Sequence, residues 1–250
     1  MNQPGLQSDD AARRFGVRGL LAFTAVFLIA VPFGTLVLLL RQKVAWLRRI
    51  DLTAAANLHD FDERHPGFVT TMKVITNSGS SLVWLIVLTL AGLWLLYRKL
   101  YRLTAFLAVT AIGGSLLNGA IKQAVGRTRP VLVNPIATAT GKSFPSGHTQ
   151  SAMVNYGILL LVFLPVVSRR WRPLIIVVAS IMVGLIGFSR VALGVHYVSD
   201  VVGGIIIGAA WLLAMTAAFS AWRRDRQLPP VTPADGLEPE NSERLKPDSP

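Results

Sequence analysis

The sequence predicts an all-α polytopic membrane protein: a six-helix transmembrane bundle with an interfacial helical segment between helices 1 and 2. Three observations lead there. Of 250 residues, 52% are hydrophobic and only 15% charged, far from the balance of a soluble domain. The apolar residues gather into long continuous runs, and about 20 residues at about 1.5 Å each cross a bilayer core of about 30 Å. The 25 Lys and Arg and 13 Asp and Glu lie mostly in clusters between those runs.

Six runs are read as crossings: 20–40, 82–97, 103–121, 151–167, 174–188 and 201–221. Their unbroken apolar character excludes a β-barrel, whose strands alternate in polarity, and a helix satisfies its own backbone within lipid. The first run follows Arg13, Arg14 and Arg18, exceeds the core of a signal peptide and lacks a small-residue cleavage site, so it reads as a retained anchor. The resulting division is a cytoplasmic segment over 1–19, a membrane domain over 20–222 and a tail over 223–250. The tail's Pro, Glu, Asp and Ser content predicts disorder.

Orientation follows from the loops. Arg13, Arg14 and Arg18, then Arg98, Lys99 and Arg102, then Arg169, Arg170 and Arg172, then Arg223, Arg224 and Arg226 are separated by even numbers of crossings. They share one face, which the positive-inside rule makes the cytoplasm. Both termini are then cytoplasmic in a multi-pass protein of the cytoplasmic (inner) membrane. The connection 41–81 faces outward with Arg41, Lys43, Arg48, Arg49, Arg64 and Lys73, which a long connection tolerates. Val44, Trp46, Leu47, Ile50 and Leu52 interleave with these charges and mark an interfacial helix able to cover a lipid entrance.

The net charge of +12 and pI near 11.0 suit a nucleic-acid binder. The clustering between apolar runs and the lack of a separate soluble module exclude that partner. The chain has no cysteine, so disulfides, thiol catalysis and cysteine-ligated metals are excluded. Gly204 and Gly208 form a small-xxx-small spacing that reads as close helix packing within the chain or as a dimer contact.

Three polar islands fall in the outward connections. The first runs from Lys122 to Arg129 and Pro130; a continuing helix puts Lys122 and Arg129 on one face, and Pro130 ends the turn. The second holds Ser143, Pro145, Ser146, Gly147, His148 and Thr149 before the fourth crossing, where the amides of Ser146, Gly147 and His148 favour an anion. The third holds Ser189, Arg190, His196 and Asp200; at a spacing of four, the carboxylate reaches the imidazole and leaves its other nitrogen free as a nucleophile. Each island also has a plainer reading: headgroup-binding basic residues, an N-cap with an interfacial histidine, and a structural His–Asp pair. Together, three cations, two histidines, a carboxylate and a helix N-terminus on one face compose a phosphate site with a nucleophile and a proton donor.

Here the sequence resembles the type 2 phosphatidic acid phosphatases (PAP2), which share their site with vanadium-dependent haloperoxidases and bacterial acid phosphatases. The family pattern is Lys-x6-Arg-Pro, then Pro-Ser-Gly-His, then Ser-Arg-x5-His-x3-Asp. Its elements match Lys122 with Arg129 and Pro130, then Pro145, Ser146, Gly147 and His148, then Ser189, Arg190, His196 and Asp200, within a resemblance covering roughly residues 70 to 220.

The resemblance implies that His196 attacks phosphorus and becomes a phosphohistidine, oriented by Asp200, and that His148 protonates the departing lipid oxygen and then activates water. It implies that Lys122, Arg129 and Arg190 bind the phosphoryl oxygens with Ser146 and the Gly147 amide. No metal or other cofactor is implied, because three fixed cations can take the role of Mg²⁺ and the one motif carboxylate is committed to His196. The expected activity is hydrolysis of a lipid phosphate or diphosphate in the bilayer, of the undecaprenyl diphosphate, phosphatidylglycerophosphate or phosphatidic acid type. Alternatives are a lipid-to-lipid phosphotransferase and a non-catalytic carrier of lipid phosphates. Arg127 and Lys142 are read as headgroup or surface charges. His59, Asp60, Asp62, Glu63 and His65 read as a solvated segment, a metal site or a substrate selector.

Overall fold

The computed structural model describes residues 30–132, 135–229 and 231–246, and among them there are helices and no strands. Helix α1 (Ala30–Arg41) turns through 84° into α2 (Ala45–Arg64). Then come α3 (Pro66–Ser78), α4 (Ser81–Tyr97), α5 (Tyr101–Val125), α6 (Gly147–Phe163), α7 (Arg172–Ala192) and α8 (Val198–Asp225). Helices α3 and α4 lie end to end as a 32-residue run. With α5 to α8 that makes five helices long and apolar enough to span a bilayer, or up to six if the bent α1–α2 pair is one span. The all-helical expectation is met; of the first predicted crossing, residues 20–29 lie outside the described residues. The second crossing is longer than expected, since its axis runs on into α3.

Helix α6 is the centre, packed on α5, α7 and α8. Val154, Ile158 and Val162 of α6 are buried in one apolar cluster with Leu103, Phe106 and Phe219. The opposite property marks α4 and α7, where Leu85, Leu90 and Leu93, and Leu174 and Val177, are exposed on the protein surface. Such faces are stable where lipid rather than water surrounds them.

Close approach of α8 to α6 is what places the site. A Cβ on Gly204 would stand 2.8 Å from the Ser146 carbonyl oxygen, and one on Gly208 would stand 3.0 Å from Met153 Cβ. The two glycines therefore serve packing within the chain. One turn before Gly204, the Asp200 carbonyl accepts from the Ser146 amide at 2.9 Å, tying the start of α8 to the start of α6.

The 41–81 connection is helical, as expected, but α2 is more than a cover: Asp51 and Leu47 on it are buried. The tail departs from the predicted disorder over its described part. Leu237 and Leu245 are 1% and 3% exposed and join the apolar cluster. Arg172 pairs with Asp235 at 3.0 Å, Arg102 with Glu238 at 3.3 Å and Arg223 with Glu240 at 2.5 Å. Composition understates this segment, because its few leucines and its acids meet partners on three other elements. The same contacts gather the Arg102, Arg172 and Arg223 loops at one end of the bundle, as the even spacing of crossings requires.

Candidate active site

The site lies at the other end, where α5, α6, α7 and α8 present the three islands. Gly126 closes α5 in the left-handed conformation, φ 68°, which glycine adopts without strain. Arg129 is therefore beyond the helix, and the expected shared helical face with Lys122 does not form. Both cations instead grip one loop. Lys122 Nζ donates to the carbonyls of Pro145, Lys142 and Ser143 at 2.7, 3.0 and 3.4 Å. Arg129 donates to those of Thr140 at 2.9 Å and Gly141 at 3.1 Å.

Ser146 is the N-cap of α6, although its hydroxyl accepts from Thr149 Oγ1 rather than capping an amide. The first bond of the helix runs from Gln150 N to Ser146 O. The amides of Gly147, His148 and Thr149 precede it and face the helix end, where the dipole favours an anion. The amide of Ser146, also expected there, is spent on Asp200. The peptide bond between Phe144 and Pro145 is cis. His148, half-buried in the first turn of α6, lies within electrostatic reach of Arg190, His196, Arg129 and Lys122.

Arg190 sits in the last turn of α7, 8% exposed. Its Nη1 donates to Thr76 Oγ1 of α3 at 2.9 Å, while Nε is buried without a hydrogen-bond partner. A buried guanidinium with an unused donor is costly unless an acceptor arrives.

His196 precedes α8 rather than sharing its face, and Asp200 reaches back from the first turn. Asp200 Oδ2 accepts from the Tyr197 amide at 2.9 Å and from the Ser143 hydroxyl, and lies 3.4 Å from His196 Nδ1. Arg129 Nη1 stands 3.1 Å from His196 Nε2. A guanidinium only donates, so Nε2 carries the lone pair and Nδ1 the proton. Burial pushes the imidazole down to about 4, although the hydrogen bond and charge of Asp200 pull it upward. At neutral pH the ring is uncharged, with Nδ1 anchored at Asp200 and the Nε2 lone pair turned towards Arg129.

Two charges missed by the motif reading complete the site. Arg127 is not a surface charge: it bridges Asp200 at 2.5 Å and Asp51 of α2 at 2.7 Å. Its only sequence signal was its place between Lys122 and Arg129; nothing marked Asp51, which lies more than 70 residues earlier. Lys122, Arg127, Arg129 and Arg190 face two carboxylates, Asp51 and Asp200, which leaves a formal surplus of two positive charges. Lys142 contributes its carbonyl, and its side chain is exposed. The 59–65 cluster stays apart. His59 pairs with Glu63 at 3.5 Å, His65 stacks on Phe61, and Asp62 is buried. Among the described residues no group of three or more His, Cys, Asp or Glu could hold a metal.

The PAP2 superfamily model matches residues 101–224. Phosphatidylglycerophosphatase B of Bacillus subtilis is 36% identical over 150 residues, covering 58% of this chain and 72% of that protein. A lipid A 1-phosphatase of Rhizobium johnstonii is 33% identical over 122 residues, covering 45% and 46%. A crystal structure of a transmembrane PAP2-type phosphatidylglycerolphosphate phosphatase from Bacillus subtilis is similar with a TM-score of 0.66 at 25% identity, covering 80% of this chain and 98% of that one.

Proposed function

The chain belongs to the PAP2 superfamily and is a multi-pass membrane phosphoric ester hydrolase, and from that premise we propose that it dephosphorylates a lipid phosphate or diphosphate through a phosphohistidine on His196. The observation that carries this reading is the state of His196: neutral, anchored through Nδ1 to Asp200, with the Nε2 lone pair facing a guanidinium. The phosphoryl group displaces Arg129 from Nε2 and takes its donors, together with Lys122, the free Nε of Arg190, Ser146 and the amides of Gly147 and His148. Nε2 forms the bond to phosphorus as the bond to the lipid oxygen breaks, and that oxygen leaves with a proton from His148. His148 then takes a proton from water, whose oxygen attacks phosphorus, breaks the P–N bond and returns the lone pair to Nε2.

The substrates that fit are lipids of the phosphatidylglycerophosphate, undecaprenyl diphosphate or phosphatidic acid type, with free phosphate as product. Three fixed cations, Lys122, Arg129 and Arg190, supply the charge that Mg²⁺ supplies elsewhere, so turnover persists in EDTA and vanadate inhibits it. The site opens on the extracytoplasmic face of the cytoplasmic membrane and the termini lie inside, because the basic ends of the helices gather at the opposite end of the bundle.

Rapid quench of purified protein with labelled lipid substrates in detergent and EDTA tests the chemistry. Acid-labile, base-stable phosphate on His196 and release of inorganic phosphate are expected; activity abolished by EDTA and restored by a divalent metal overturns the reading. Single cysteines at the exposed Thr140 and Lys246 test the sidedness in a chain that has none of its own. An impermeant thiol reagent on intact cells is expected to label Thr140→Cys only, and the reverse pattern inverts the topology.

A further inference from the structure

We propose that Arg127 and Asp51 are positioning residues for the reaction: a strut from α2 that holds Asp200 against His196 and keeps it negative enough to balance the charge His196 gains on phosphorylation. This rests on His196 being the nucleophile. Asp51 lies outside the three motifs, and Arg127 occupies an unspecified position of the first.

The geometry ties one guanidinium to two buried carboxylates. Arg127 Nη1 donates to Asp200 Oδ1 at 2.5 Å and to Ser199 Oγ at 2.7 Å, and Nη2 donates to Asp51 Oδ2 at 2.7 Å. Ser199 returns the contact, its amide donating to Asp51 Oδ1 at 3.0 Å and its hydroxyl to Asp51 Oδ2 at 2.6 Å. The guanidinium lies 4.2 Å from the Tyr197 ring centroid, which limits its rotation. Asp51, Ser199 and Asp200 are 1%, 2% and 0% exposed. Since Arg127 takes Oδ1 and the Tyr197 amide, Ser143 and His196 meet Oδ2, each oxygen of Asp200 has a fixed task.

Charge explains why a second carboxylate is needed. Arg127 alone would cancel Asp200 and leave nothing to stabilise an imidazolium. With Asp51 included, the array of Asp200, Arg127 and Asp51 carries one negative charge beside neutral His196. When Nε2 bonds to phosphorus, the ring becomes cationic and the four groups sum to zero, in surroundings of low dielectric where that match has its largest effect. Arg129, Arg190 and Lys122, with His148, face the phosphoryl side of the same ring and serve the phosphate. The strut lies behind it and serves the nucleophile.

The two roles separate experimentally through the rate of phosphoenzyme formation, the inhibition constant for vanadate and the acid limb of kcat/KM, measured on Arg127→Gln, Asp51→Asn and the double variant in detergent. Each single variant is expected to lose about tenfold to hundredfold in the rate of His196 phosphorylation, with vanadate inhibition within about threefold of wild type because its cradle is untouched. The acid limb moves to lower pH in Asp51→Asn, which removes negative charge behind the ring. It moves to higher pH in Arg127→Gln, which removes positive charge, and lies near wild type in the double variant. A purely structural role would lower the folded fraction and vanadate binding together, with no opposed movement.

Wild-type phosphorylation rates in both single variants, a parallel loss of vanadate affinity, or limbs moving in the same direction overturns the proposal. If either variant does not fold, Ser199→Ala replaces it. That change removes hydrogen bonds to Asp51 and Arg127 without altering charge, and is expected to slow phosphorylation about threefold to tenfold with an unmoved limb; an unchanged rate then overturns the proposal. Absence of phosphohistidine in the wild type is a different failure, that of the nucleophile assignment itself.

Discussion

The two ends of the bundle handle arginine in opposite ways. At one end Arg102, Arg172 and Arg223 meet Glu238, Asp235 and Glu240, so the chain neutralises its own cations with its tail. At the other, among the described residues, four cations, Lys122, Arg127, Arg129 and Arg190, face two carboxylates, Asp51 and Asp200, and Arg127 pairs with both. Paired charge holds helices together, whereas charge in excess of its partners in a half-buried site suits an anionic ligand. A site that stabilises a developing anion must carry that imbalance before substrate arrives, which lowers the reorganisation needed during reaction and costs stability in its absence.

The largest expected effect breaks the site end. His196→Ala should abolish turnover and phosphoenzyme for every lipid, since no leaving group replaces a missing nucleophile. His148→Ala should lose about 10²–10⁴-fold with lipid substrates, yet with p-nitrophenyl phosphate it should show a nitrophenolate burst and trapped phosphohistidine. Trapping in His196→Ala instead would reverse the two roles.

Next, Arg190→Ala should lower kcat by about 10²–10³-fold and weaken vanadate inhibition in step, the cost of removing a donor aimed at the phosphoryl oxygens. Arg172→Ala, the matched change at the tail end, should leave both unchanged. Equal effects from the two substitutions would erase the distinction between the ends.

A third measurement uses pH. His196 titrates near 4 in the folded protein against 6.5 as a free side chain, so the unfolded chain binds its proton first as pH falls. Stability is complete above 6.5 and is lost as pH falls towards 4, by about 3 kcal/mol at most. Thermal unfolding in detergent at pH 7 and 4.5 should show this loss, and His196→Gln should reduce it; an equally steep loss in the variant assigns the effect elsewhere.

The smaller effects belong to the tail. Leu237→Ala should cost about 2 kcal/mol through the cavity it opens beside Leu161, and Arg172→Ala less, because Asp235 is partly exposed and water screens the pair. Activity per folded molecule should be unchanged in both. A fall in kcat would join the two ends functionally.

Membrane class, helical architecture and most crossings were legible in the sequence because each depends on local quantities: run length, run hydropathy and the charges flanking a run. The motif residues were legible for a related reason, since His196 and Asp200, or Ser146 and His148, lie within one turn of each other. Where tertiary placement intervened, the same residues come together for a different reason. Lys122 and Arg129 do not share a helix face, because Gly126 ends α5 between them, and they converge by gripping the 140–145 loop. Only the folded chain could reveal that Arg127 bridges two buried carboxylates and that Asp51 is one of them, for Asp51 and Ser199 stand 148 residues apart. It likewise brought the acidic tail onto basic loops that composition left in solvent. An apolar run declares itself because lipid solvates it residue by residue, while a buried ion pair exists only where two distant segments exclude water together.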